Sequence, residues 1–314
     1  MAAGGKHSRP FITLATYDAL RGGACTRADG AAHAEQVPDA VRRIALAIEV
    51  FHKASLVHDD IEDGDATRYG RPALHQQYGQ ATAINVGDFL IGLGYRLVAE
   101  QRGELGAEVV ADVLAQFAQA HTKLCEGQGA EFVWREARQK HIRPLDALRI
   151  YALKTAPAFE AAIMAGIRLA GAVAPHQEAA ARFARHLGVA YQMINDLDDW
   201  QSDDLEGSHR GADLLAGRPT VLWALAVEGL DEAGRRELDS LLTAPAPVRQ
   251  RIARAAELYA QADVYRQASA LIAKHHQRAG EAADQLAVEP LRRLLRFLAD
   301  AILDRRPLAV SDGK

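Results

Sequence analysis

Asp59, Asp60 and Asp63 stand close together at the end of an apolar run that includes Leu56 and Val57. On a helix, Asp59 and Asp63 lie one turn apart on the same face. Two carboxylates there repel each other, so the pair stabilises nothing unless a cation lies between them. Oxygen donors with no neighbouring cysteine select a hard ion, Mg²⁺ above all. Arg68 follows shortly after, and its guanidinium fork suits phosphate oxygens. Carboxylates, a hard ion and an arginine together imply a diphosphate held through bridging Mg²⁺. Alone, the stretch reads more readily as the solvated acidic end of a helix. A second cluster shifts that balance, because Asn195, Asp196 and Asp199 also close an apolar helical run.

Other groups could join such a site. Lys154-Thr155 sits among Ile150, Tyr151, Leu153, Ala156 and Phe159. A lysine facing a core needs a carboxylate or an anion beside it; snorkelling is the alternative. Lys6 and Arg9, in a Gly-rich basic entry, could form a second anion clamp or belong to a frayed terminus. His52 lies on an apolar helix, where a histidine is ordinarily a satisfied core residue. The string from Glu126 to Glu131 adds polar groups at a helix end, kink or loop.

The elements that must hold these groups are helices. Alanine is abundant, β-branched clusters are scarce and aromatics are 6% of the chain, a composition that favours helix. Apolar spacing predicts helices over 11–20, 39–61, 80–100, 105–124, 144–169, 176–199, 219–228, 230–242, 248–276 and 280–303. Loops are expected over 21–38, 64–79 and 207–218, with a loose tail from 304. No internal repeat, low-complexity segment or linker divides the 314 residues, so one all-α domain, 1–314, is expected: a bundle of long helices with inward carboxylates around a metal site.

Bulk properties exclude several function classes. The net charge is −4 with no basic stripe, so nucleic acid is not an expected partner. Two cysteines make neither a disulfide framework nor a zinc site, and point to an intracellular, cytoplasmic enzyme. No apolar run reaches the ~18 residues of a transmembrane span, and the first residues do not read as a signal peptide.

In series, these motifs resemble the trans-type isoprenyl (polyprenyl) diphosphate synthase family. Gly4-Gly5-Lys6 with Arg9-Pro10 is similar to its opening motif, and His52 with Leu56 to Asp63 to its first aspartate-rich motif. Arg68-Tyr69-Gly70, Pro72, His75, Gly87-Asp88, Gly127-Gln128, Lys154-Thr155, Tyr191-Gln192, Asn195 to Asp199, Gly211-Ala212-Asp213-Leu214 and Gly217-Arg218-Pro219-Thr220 follow in the family's order. The resemblance covers about two-thirds of the chain. It implies an all-α fold around a deep central cavity (the type I isoprenoid synthase fold), a homodimer, and three Mg²⁺ ions. The implied reaction is ionisation of an allylic prenyl diphosphate and its condensation with isopentenyl diphosphate. By the same resemblance Asp59 and Asp63 hold two metal ions, and Asn195 and Asp199 hold the third, with Asp60, Asp196 and Gln192 alongside. Arg68, Lys154, Thr155 and Arg218 complete the clamp on the allylic diphosphate. Lys6, Arg9 and His52 bind the diphosphate of isopentenyl diphosphate, with Tyr69 beside them.

Departures from the family pattern keep other readings open. Tyr69 and Ser208 stand where the family has an arginine and a lysine, and Asn195 stands where its second motif opens with Asp. The losses weaken the acceptor site more than the ionising site. A terpene cyclase-like lyase, or a transferase with another acceptor, is therefore the alternative. The loose four-residue steps of Asn195, Asp199 and Asp203 add to that alternative. A non-catalytic subunit of a heteromeric synthase is a third reading, opposed by the intact first motif. Ala54, five residues before Asp59, leaves the tail cavity open with Phe51 as a lower floor, which favours geranylgeranyl or longer products.

Overall fold

The computed structural model describes residues 7–24, 36–137, 140–201 and 211–303. Among these, the chain is helical apart from one two-stranded ladder, the all-α class that composition predicts. Lys6, Ser208 and Asp203 lie outside the described residues. The chain forms two compact units. The first is drawn from Met1–His121, Ala158–Ala180 and Leu286–Leu294, the second from Thr122–Pro157, Ala181–Gln285 and Leu295–Lys314.

In the first unit α1 (Ser8–Leu20) packs on α2 (Asp39–Glu62), and α2 packs on α4 (Gln80–Ala99). The stripe predicted over 39–61 is the core of this unit. Val41, Ile44, Ala45, Ile48 and Ala54 are all buried. Two glycines of α4 let α2 approach closely. A Cβ on Gly87 would overlap the His58 ring at Nε2, and one on Gly94 would lie 2.8 Å from Phe51 Cζ. Phe51 is edge-on to Tyr95 at 4.8 Å and to Phe117 at 5.7 Å. The segment 64–79, expected as loop, is more ordered than that. Thr67–Arg68 (β1) and Arg71–Pro72 (β2) pair antiparallel, Thr67 with Pro72 and Arg68 with Arg71. The turn between them is Tyr69-Gly70, at φ 54° and 72°. A two-residue hairpin of this hand requires positive φ at both positions, which glycine adopts freely and tyrosine does not. A short α3 (Leu74–Tyr78) follows.

After α5 (Arg102–Leu105), α6 runs from Ala107 to Glu136, well past the end expected at 124. The two glycines in Glu126–Glu131 suggested a break, but both are helical. Gly127 instead marks a close approach within the second unit. Its Cβ would lie 2.7 Å from the backbone nitrogen of Lys154.

The helix expected over 144–169 is two helices, α7 (Pro144–Lys154) and α8 (Ala156–Ala170). Thr155 leaves helical geometry at φ −125°. Pro157 is the local cause, since it removes an N–H and is tolerated only in a helix's first turn. α9 (Gln177–Gln201) carries the second acidic motif. A short α10 (Ala212–Leu215) lies in the expected 207–218 loop. α11 (Val221–Gly229) is the apolar centre of the second unit, with Val221 to Val227 all buried. It packs on α7 and on α12 (Glu232–Leu241), α13 (Val248–Gln261) and α14 (Val264–Asp284). The helix expected over 248–276 is interrupted by Asp263, a non-glycine residue at φ 54°. Gly280, expected near a helix start, lies inside α14, and α15 spans Glu289–Leu303.

Candidate functional site

The first unit gathers one half of the candidate residues. Asp59 and Asp63 sit at the C-terminal end of α2, Asp63 as its C-cap residue. Both are partly buried. Asp60, between them in sequence, is buried at 4% exposure and turns to the hairpin. It accepts a hydrogen bond from Arg68 Nε at 2.7 Å and a second from Arg68 Nη2. Arg68 Nη2 also reaches Asp65 at 3.0 Å. Burial pushes the Asp60 carboxyl up and Arg68 pulls it back. Arginine does not release its proton in this range, so the pair is held as a charged fork. Arg68 is therefore fixed in direction by Asp60, on the same hairpin that carries Tyr69.

Arg9 and His52, both in the first unit, share a cationic neighbourhood. His52 is held down to about pKa 3, first by burial and then by the charges of Arg9, Lys53, Arg68 and His7. Its ring is neutral at physiological pH, so towards an anion it can act as a hydrogen-bond donor but not as a charge. Glu49 is buried beneath this group. It is 3.0 Å from His7 Nδ1 and 3.6 Å from Lys53 Nζ.

The second unit gathers the other half. Lys154 Nζ donates to Glu131 Oε2 at 2.6 Å, the carboxylate partner that a lysine facing a core requires. Thr155 Oγ1 donates to Gln192 Oε1 at 3.2 Å, and Gln192 Nε2 donates to Asp196 Oδ1 at 3.3 Å. The other Asp196 oxygen accepts from the Tyr151 hydroxyl. That hydroxyl in turn accepts from the backbone N–H of Val221 at 2.7 Å, which fixes its own proton on the Asp196 side. Thr155, Gln192 and Asp196 thus stand in one hydrogen-bonded chain that ends on the first N–H of α11. Asp196 is 1% exposed, and burial pushes both its carboxyl and the Tyr151 hydroxyl well up.

Asp199 lies one turn further along α9 and is less enclosed. Its two carboxylate oxygens accept from the N–H groups of Ala212 and Asp213, at 3.1 and 3.4 Å. Its carboxyl is nevertheless pushed up to about 7, by burial and by the like charge of Asp213. Asp213 is paired with Arg218 Nη1 at 2.8 Å. Asn195, on the same helix, is partly buried.

Three further residues were named in the sequence reading only as flanks or motif members, without a role in the site. Tyr151, Glu131 and Asp213 each complete a contact of an expected site residue. Lys154 carried a signal for Glu131, since its apolar surroundings demanded a counter-charge. Nothing local in the sequence marks Tyr151 as the partner of Asp196.

The donor sets suit a hard divalent ion. Asp59 and Asp63 are oxygen donors one turn apart, and Asp199 is a carboxylate disfavoured first by burial and then by the like charge of Asp213, which a dication would offset. Among the described residues, no three His, Cys, Asp or Glu side chains are gathered about one point. Mutual repulsion opposes such a gathering before a cation arrives.

The polyprenyl synthetase family model matches residues 1–259. A short chain isoprenyl diphosphate synthase from Methanothermobacter thermautotrophicus is 29% identical over 306 residues, covering 97% of this chain and 88% of that protein. The crystal structure of geranylgeranyl pyrophosphate synthetase from Pyrococcus horikoshii superposes with a TM-score of 0.82 at 28% identity, over 96% of this chain and 87% of that one. A polyprenyl synthase from Caulobacter crescentus, complexed with calcium and isoprenyl diphosphate, gives 0.80 at 27% identity, over 98% and 87%. With the family model spanning most of its length and two carboxylate-bearing helices in place, this chain belongs to the polyprenyl synthetase family.

Proposed function

We propose that the chain is an Mg²⁺-dependent prenyltransferase that lengthens an allylic prenyl diphosphate by condensing it with isopentenyl diphosphate. The observation that carries this reading is the pairing of two oxygen-donor helix ends with separate cationic groups. Asp59 and Asp63 on α2, and Asn195 and Asp199 on α9, are the ligands we assign to three Mg²⁺ ions. Bound Mg²⁺ supplies stabilisation of the negative charge that develops on the departing diphosphate. Arg68, aimed by Asp60, together with Lys154 and Arg218, grips the same diphosphate. Thr155, next to Lys154 in sequence, is joined through Gln192 to Asp196, one turn from Asp199 on α9.

Lys6, Arg9 and His52 bind the diphosphate of isopentenyl diphosphate, His52 as a neutral donor. The allylic carbon–oxygen bond breaks with its electron pair leaving on the diphosphate. The isopentenyl double bond then attacks the allylic carbon, and the proton lost from the adduct goes to the departed diphosphate. No side-chain base is required. We place the tail along the apolar residues of α2, with the packed rings of Phe51, Tyr95 and Phe117 as its floor and Ala54, buried in this structure, above them. Small Ala54 above that floor supports a product of geranylgeranyl length or longer.

We also infer that the chain works as a homodimer. Of the twenty residues of α4, only Ala83, Gly87, Gly94 and Val98 are buried. Its outer face presents Ile84 and Phe89 at 42% and 63% exposure, an apolar surface that suits a second copy of the same face. No helix among the described residues is long and apolar enough to cross a membrane.

The decisive assay supplies dimethylallyl, geranyl, farnesyl and geranylgeranyl diphosphates with Mg²⁺, each with and without isopentenyl diphosphate, and identifies products by mass spectrometry. Longer prenyl diphosphates formed only when isopentenyl diphosphate is present are the expected result. A hydrocarbon or cyclic alcohol formed without it would replace this reading with that of a terpene cyclase.

A further inference from the structure

One contact in the second unit serves none of the chemistry described so far. His186 of α9 and His275 of α14, 89 residues apart in sequence, meet with their Nδ1 atoms 3.3 Å apart and their rings edge-on. A neutral pair shares one hydrogen at that point, one ring donating and the other accepting. His186 stands about 20 Å of helix before Asp199 on α9, so the contact is separate from the assigned metal ligands.

The pair is ringed by cations. On α9, Arg182, Arg185 and His186 fall at three- and four-residue steps and share a face, as Lys274, His275 and Arg278 do on α14. The two imidazoles are half-buried and the four long side chains are exposed. A hydrogen bond from Arg182 Nη1 to Gln285 Oε1 at 3.2 Å ties α9 to the end of α14. Carboxylates are scarce by comparison. Arg185, Lys274 and Arg278 make no ion pair among the described residues. Asp284 is engaged by Arg296 and Asp300 by His276, both between α14 and α15. Glu281 opposes the cations at His186, and its carboxylate accepts from Gln277.

This arrangement resists a proton and favours an anion. Burial first, and then Arg278, Arg185 and Arg182, hold the His186 pKa down. Burial, His186, Arg278 and Lys274 hold His275 down to about 4. The cations that expel a proton converge on one point, and a multiply charged anion seated among them would reverse the field there. Guanidinium forks from α9 and α14 suit the several oxygens of a tetrahedral oxyanion. The cluster is compact, so it matches one such group and not the long phosphate track of a nucleic acid. Among the described residues, neither α9 nor α14 exposes a large apolar side chain, so the face suits a soluble anion and not insertion into a lipid surface.

We propose that α9 and α14 form a second anion site, for the phosphate group of a soluble compound, and that the His186–His275 pair takes up a proton as the anion binds. The site uses none of the residues assigned to metal or prenyl diphosphate, and it stands whether or not the chain elongates prenyl diphosphates. Binding and protonation are reciprocal: the anion holds the proton on the pair, and acid strengthens the grip on the anion.

The test follows the imidazole resonances of His186 and His275 by NMR in the full chain, assigned with His186→Gln and His275→Gln. Sulfate is the probe, because it is tetrahedral and its charge does not change over the titration. Against chloride at equal ionic strength, sulfate should raise the midpoint of the pair by about one pH unit or more. The affinity for sulfate should rise up to about tenfold for each unit of pH lowered through the titration of the pair. Arg278→Gln should weaken sulfate binding about tenfold and abolish the midpoint shift. Glu281→Gln should tighten binding severalfold, a gain that misfolding cannot imitate. The double variant His186→Gln with His275→Gln should bind with an affinity that no longer depends on pH. Inorganic phosphate should displace sulfate from the parent chain. Equal shifts in chloride and sulfate would mean screening alone and would overturn the proposal, as would sulfate binding that Arg278→Gln leaves unchanged. Adhesion to phosphatidylglycerol vesicles without a response to sulfate would also overturn it, in favour of a membrane surface.

Discussion

Replacing Gly127 with alanine should unseat Lys154, whereas the same change at Gly129, two residues along α6, should strengthen the helix. Both positions are helix interior, where alanine is favoured over glycine by about 0.8–1 kcal/mol. At Gly129 nothing lies within 4 Å of the added methyl group, so that gain should be realised in full. At Gly127 the methyl would meet Lys154 N at 2.7 Å, Leu153 C at 2.8 Å and Leu153 Cβ at 2.9 Å. Two of the three are backbone, so no rotamer change relieves them. Reaching ordinary contact at 3.4 Å requires α6 and the end of α7 to part by about 0.7 Å. Overpacking of this kind costs roughly 1–3 kcal/mol, and backbone contacts put it at the upper end, so Gly127→Ala should be destabilised by about 2 kcal/mol net. The Lys154–Glu131 contact at 2.6 Å spans the same two helices, and if Lys154 grips the diphosphate as proposed, a displacement of this size costs on the order of tenfold or more in kcat. Paired urea melts and elongation assays of the two variants measure both effects. Gly127→Ala as stable and as active as Gly129→Ala would refute the close-approach reasoning.

Three further outcomes are expected. Tyr151→Phe should cost about 2–5 kcal/mol in urea unfolding, because it leaves the Val221 N–H and one Asp196 oxygen buried and unpaired; a loss under about 1 kcal/mol would show that water replaces the hydroxyl. The Asp199 carboxyl binds its proton more tightly in the folded chain, at about 7 against an ordinary 3.8. The stability this contributes is full below about pH 4 and is lost as pH rises towards 7, at most about 1.4 kcal/mol per unit and less for a group that is not fully enclosed. Melting temperatures in chelator should therefore fall across that window, less steeply in Asp199→Asn, with Mg²⁺ restoring stability above pH 7 in the parent only. Ala54→Tyr should shorten the longest product and Phe51→Ala should lengthen it, read by mass spectrometry of chains made from farnesyl diphosphate; products unchanged in both would remove α2 as the wall that sets length.

The sequence was most legible where one physical cause acts alone. The stripe over 39–61 could bury only as a helix, and α2 matches it closely. The two acidic motifs stood out because clustered carboxylates repel one another; the sequence did not show that Asp60 would be met by Arg68 and Asp196 by Tyr151. Legibility failed where tertiary contact overrides local chemistry. The string from Glu126 to Glu131 read as a helix end, kink or loop, but Gly127 is a contact point and α6 runs on through it. The break at Thr155 did carry a local signal in Pro157, as the tight turn at Tyr69 did not. The carboxylate beside Lys154 was demanded by its apolar setting, but only folding brings Glu131 to it across 23 residues.

The two glycines of α4 bear on how this enzyme can change over evolutionary time. Gly87 receives His58 and Gly94 receives Phe51, seven residues apart on each helix and in opposite order. Such a double notch fixes the height of α2 against α4. Sliding by one turn, about 5.4 Å, would drive each ring into a side chain instead of a gap. Asp59 therefore stands a constant eight residues, about 12 Å of helix, above Phe51. If α2 sets product length as proposed, it is a ruler whose zero and whose end are both pinned, and a lineage carrying this notch would alter length by exchanging side chains at Ala54 or Phe51, not by shifting the scale itself.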